Sequence, residues 1–80
     1  MNSVDNIDWT EMEGKEARGI DDADLGEVQE IRDDFVVTKV GVVDKKVYKI
    51  PKSLVEGYDG HNLLFKVNKD DAKSKYEIDI

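Results

Sequence analysis

The chain has 80 residues, no cysteine and a single histidine, with nineteen acids against twelve bases for a net charge of −7 and a pI near 4.6. That length allows one domain with a thin core, because a chain of this size buries only ~60% of the surface its unfolded form exposes. Disulfides and thiolate metal sites are excluded, a composition suited to a reducing cytoplasm, and no apolar run approaches the ~18 residues of a membrane helix.

The charge is unevenly spread. Up to Asp34 there are twelve acids and three bases; from Phe35 onward nine lysines face seven acids. An acidic front half repels phosphate backbones and attracts a basic protein.

Met1–Asp8 is polar, without hydrophobic period or basic residue, and reads as a flexible segment of 1–8 with no secretory signal ahead of a domain over 9–80. Trp9 is expected to anchor this segment onto the domain. Gly14–Gly19 reads as a first short strand. Ile20–Gly26 is turn chemistry, with three aspartates and a glycine able to take positive φ. Glu27–Arg32 carries Val28 and Ile31 at a spacing of three, which predicts a bulge or strand end near Glu30. Asp33-Asp34 turns the chain into Phe35–Val43, the clearest strand by its β-branched content, with Gly41 marking a bend. Asp44-Lys45 turns it again, and Val47–Ile50 returns.

Pro51 cannot donate to a ladder and ends that strand. Ser53 is the expected cap of one helical turn carrying Leu54 and Val55. Gly57-Tyr58-Asp59-Gly60 contains an Asp-Gly turn signal. Asn62–Val67 then alternates, with Leu63, Phe65 and Val67 on one face and Leu64 on the other. Asp70 and Asp71 suit the start of a short helix that places Ala72 and Tyr76 on one side. Glu77–Ile80 alternates again, with Ile78 and Ile80 paired. These pieces predict a mainly β domain of about five or six short strands, a short helical turn and a C-terminal helix, closed into a small barrel. Its core should hold Val37, Ile50, Leu54, Leu63, Phe65 and Val67.

The segments Gly14-Lys15 with Leu25-Gly26-Glu27-Val28, Tyr48-Lys49-Ile50-Pro51 with Leu54-Val55, and Asp59-Gly60 leading into Leu63–Val67 follow one another in an order that resembles the PRC-barrel family. The closing Asp70–Tyr76 helix fits the same pattern, and the match spans Trp9 to Tyr76. Its acidic composition is similar to that of small, free-standing archaeal members. The resemblance implies a PRC-barrel-like β-barrel and a non-enzymatic adaptor role. Relatives of that kind occur in the photosynthetic reaction centre H subunit, a ribosome maturation factor and archaeal cell-division proteins. The family has no catalytic motif to carry over.

The residues give the same picture of the chemistry. His61 sits beside a turn, Ser53 fits a cap, and no nucleophile, base and orienting group stand together. Asp21, Asp22 and Asp24, with Asp33 and Asp34, offer oxygen ligands, but no glutamate closes a calcium loop, and a solvated acidic turn is expected instead of a metal or cofactor site. The glycines match no phosphate loop. Lys45, Lys46, Lys49, Lys52 and Lys66 with Tyr48, Tyr58 and Phe65 define the alternative, an RNA- or ribosome-binding face, which the acidic half weakens. The candidate interaction surface is therefore Asp21, Asp22 and Asp24 for a basic protein partner. Leu64, joined on the exterior by Val36 and Tyr48, is the candidate seam of a homodimer. The competing place for Leu64 is beneath the Asp70–Tyr76 helix.

Overall fold

A computed structural model describes residues 7–41 and 45–78. Among the described residues seven strands form one sheet: β1 (Glu16–Arg18), β2 (Asp24–Ile31), β3 (Phe35–Val40), β4 (Lys46–Pro51), β5 (Val55–Tyr58), β6 (Asn62–Phe65) and β7 (Glu77–Ile78). Their order in space is β5-β6-β1-β2-β3-β4-β7. β2, β3 and β4 form an antiparallel meander, and β1 joins its edge as the antiparallel neighbour of β2. The β1–β6 pair is parallel, Glu16↔Asn62 through Arg18↔Leu64, and attaches the β5–β6 hairpin. β5 and β7 end the sheet and do not pair with each other. The chain is thus mainly β, and among the described residues the pairing between edges that would close a barrel is not formed.

The ladder parity decides what is buried, because successive side chains alternate faces and directly paired residues share one. Val36↔Ile50 and Thr38↔Tyr48 are register pairs of β3 and β4, and all four side chains are buried. Leu25, Val28, Leu63, Phe65, Val55 and Ala17 complete the core with Met12, Val67 and Ala72. Fully burying one such valine, leucine or phenylalanine stabilises by roughly 1.5–3 kcal/mol relative to leaving it exposed.

Ile50, Leu63, Phe65 and Val67 lie in the core as expected. Val37 and Leu54 are only half-buried. Val37 takes the opposite parity because Thr38, two residues from Val36, is the residue that turns inward with it. Phe35-Val36-Val37 is apolar throughout and carries no alternation to reveal this. The same parity overturns the expected exterior position of Val36 and Tyr48, both wholly buried.

Between strands the chain makes short helical turns. Asp8 caps the 3-10 turn Trp9–Glu11 by accepting from the Thr10 amide at 3.1 Å. Ile7 and Trp9 pack against the core. Trp9 is the expected anchor; residues 1–6 of the expected flexible segment lie outside the described residues. A second 3-10 turn, Lys52–Leu54, begins after Pro51, and Ser53 lies within it rather than capping it. Val55 leaves that turn to start β5, a strand not foreseen. Register shifts between Val28 and Glu30, where a bulge is expected.

A short helix, α1 (Lys69–Asp71), starts at Asn68, whose side chain accepts from the Asp71 amide at 2.7 Å. It continues as one π-helical turn, Ala72–Tyr76. Ala72 is buried and Tyr76 packs against the core. The expected turn at Asp44 and the pairing of Ile80 with Ile78 fall on residues outside the described ones. No helix among the described residues is long and apolar enough to cross a membrane.

Candidate interaction surface

The acidic turn between β1 and β2 is built from both sides. The Gly19 amide donates to the Ala23 carbonyl at 2.9 Å, and the Ile20 amide reaches the Val67 carbonyl at 2.9 Å, just beyond β6. Gly19 is needed here, since a Cβ at that position would stand 2.2 Å from the Val67 carbonyl oxygen. The turn Ile20–Asp22 is 3-10 in its hydrogen bonding but holds Asp21 at φ 59° and Asp22 at φ 60°. Aspartate tolerates that left-handed region better than most side chains.

Two cations hold the turn. Arg18 is paired with Glu16 at 2.6 Å and lies 4.0 Å from the Asp22 carboxylate. Its guanidinium also reaches the Asp22 carbonyl at 3.5 Å. The Glu16 hydrogen bond raises the Arg18 pKa further above its ordinary value, with the charges of Glu16, Asp24 and Asp22 adding to it against desolvation. Lys69, from α1, donates to the Asp24 carbonyl. The Asp24 carboxylate accepts from the Gly26 amide at 2.9 Å. Asp21, Asp22 and Asp24 therefore stay exposed on an anchored loop. Ile20 stands beside them, 48% exposed. Sequence reasoning missed Ile20 as a surface residue, although an isoleucine between Gly19 and three acids was a readable signal.

Tyr48 does not belong to this surface. It is completely buried, its hydroxyl has no hydrogen-bond partner among the described residues, and Lys69 Nζ lies 5.2 Å from its ring centroid. Leu64 is half-buried on β6. Asp33 and Asp34 lie on a different hairpin, between β2 and β3, where an open groove is lined by Ile31 to Phe35. Among the described residues, no three acidic or histidine side chains converge as metal ligands would.

The lysine-and-aromatic face does not assemble either. Tyr48 and Phe65 are in the core, so neither offers a ring to a nucleic-acid base. Lysines already cover aromatic rings outside it: Lys49 over Phe35 at 4.2 Å and Lys52 over Trp9 at 4.5 Å. His61 is an exposed turn residue. Its amide and that of Asn62 donate to Asp59 at 2.8 and 2.7 Å. These bonds, that of Asn62 first, lower the Asp59 pKa.

In comparisons with protein-family models, with curated proteins and with solved structures, nothing matches this chain.

Proposed function

We propose that this domain is a non-catalytic protein-binding module of the PRC-barrel type that docks a basic partner on its acidic turn. The observation that carries the reading is the anchored loop with Ile20 exposed among Asp21, Asp22 and Asp24. An apolar side chain ringed by acids recognises a basic segment with one hydrophobic anchor, the combination of hot spot and charged rim common at interfaces. Fixed backbone lowers the ordering cost of binding. The resemblance in element order supports the same class of role.

Affinity capture from native extract, run in parallel with the Ile20→Ser and the Asp21→Asn/Asp22→Asn forms, tests this. A basic protein retained by the natural chain and lost from both variants is the expected result. Capture unchanged by either variant would remove the turn from the interaction. Salt-sensitive retention of single-stranded RNA, lost in Lys49→Ala, would favour the rival nucleic-acid reading.

A further inference from the structure

The outer face of the β2–β3–β4 meander carries a second, separate surface. Parity places Phe35, Val37 and Lys39 of β3 there, opposite the buried Val36 and Thr38. Register adds Pro51 and Lys49 from β4, and Val47, which is itself buried, with Ile78 of β7 beside it. It also adds Glu30 and Glu27 from β2, beside Val37 and Lys39. Across the sheet, one row reads Glu30, Val37, Lys49 and the next reads Glu27, Lys39, Val47, Ile78. Acids lie along β2, apolar groups and Lys39 occupy β3, and Lys49 lies on β4; within one subunit Glu30 is ion-paired with Arg32 and Lys49 lies over the Phe35 ring, so a rim pair would exchange or share these contacts. Ile78 is 41% exposed, and Phe35 and Val37 are partly so.

That arrangement is self-complementary. A two-fold axis laid along β3 in the plane of contact exchanges the β2 and β4 sides. It sets Val37 on the partner subunit's Val37, and Glu30 opposite the partner subunit's Lys49. The two Lys39 groups meet near the axis, flanked by both Glu27 carboxylates. Isologous sheet-on-sheet packing has this symmetry. We propose that the chain forms a homodimer through the outer face of β2, β3 and β4, with Val37 at its centre and Glu30–Lys49 pairs on its rim. The seam differs from the acidic turn, so failure of one reading leaves the other standing.

Sedimentation equilibrium of the full chain, from micromolar to hundreds of micromolar, tests the proposal. A reversible dimer is expected, and Val37→Glu should weaken it at least about a hundredfold, the scale of a central hot spot. Val37 is only half-buried, and far-UV circular dichroism checks that this variant folds. Glu30→Lys or Lys49→Glu alone should weaken the dimer about three- to tenfold, and the double exchange should restore it, because both rim pairs are remade with reversed sign. A chain that stays monomeric throughout overturns the proposal and leaves this face to a different protein. A dimer indifferent to Val37→Glu, or lost with Leu64→Glu instead, also overturns it. Single rim variants whose defects add in the double exchange overturn the assigned pairing.

Discussion

The β3–β4 hairpin runs from Phe35↔Pro51 to Val40↔Lys46 without a register shift, and both strands have a buried face. The β1–β2 hairpin pairs only Glu16↔Glu27, Ala17↔Gly26 and Arg18↔Asp24, breaks register between Ala17 and Arg18, and is joined by a turn with two left-handed aspartates. In the first, apolar burial fixes the ladder. In the second, glycines, a guanidinium and a lysine fix a loop that buries little of itself. The strands of both hairpins feed the core, Ala17, Leu25 and Val28 from the second, but the turn of the second also displays its side chains. This division follows from the composition of the two halves.

The sharpest way to break this comparison is to truncate one isoleucine in each region. Ile50→Ala should cost about 2–5 kcal/mol, since Ile50 is fully buried, whereas Ile20→Ala should stay within ~0.5 kcal/mol. Urea unfolding of both variants measures this, and equal losses would show that the turn is part of the core. Next comes Gly26, at φ +93°, where an added Cβ would meet the Lys39 carbonyl oxygen at 2.3 Å. Gly26→Ala should cost well over ~1 kcal/mol. Gly60→Ala, at φ +103° with open space around it, should cost only ~1 kcal/mol. If thermal melts rank them the other way, backbone crowding does not hold β2 against β3.

Smaller still is the strain in the acidic turn. Asp21→Gly should stabilise by up to ~1 kcal/mol by relieving the left-handed backbone. A clear loss in the same melts would mean that the Asp21 carboxylate itself holds the turn. The smallest effect belongs to Asp59, whose folded pKa lies below its unfolded value. Its contribution is present above the unfolded value of about 3.9 and fades as pH falls through the folded value. The stability gap between the natural chain and Asp59→Asn should therefore be widest near neutrality and narrow on acidification below about pH 4. A gap independent of pH would assign the Asp59 bonds no linkage.

What could be read in advance followed local chemistry. The Pro51 strand end, the Asp-Gly turn, the irregularity near Glu30 and the alternation of Leu63 and Phe65 are all written in neighbouring residues. Parity in the apolar run Phe35-Val36-Val37 is not, because only the tertiary choice of Thr38 as an inward residue settles it, and a one-residue slip exchanges the faces. Strand β5 was hidden because Glu56 and Gly57 interrupt its pattern, and register shifts there between Val55 and Gly57. The acids of the candidate site were legible as a turn. Their fixation by Arg18 and by Lys69 was not, since Lys69 comes from a distant helix whose approach depends on the completed sheet.

The parallel β1–β6 pair has a consequence for the order of events in folding. β2, β3 and β4 are consecutive antiparallel neighbours and close short loops, whereas Glu16 must wait for Asn62. Loop-closure entropy places such a pairing late, and a chain made from its N-terminus presents β1 long before β6 exists. The transition state should therefore resemble the meander alone. Kinetic chevrons would show it: Val36→Ala should slow folding, and Leu63→Ala should chiefly speed unfolding. Until the seam closes, β1 has an unpaired edge, and during that interval the nascent chain is most open to pairing with the wrong strand.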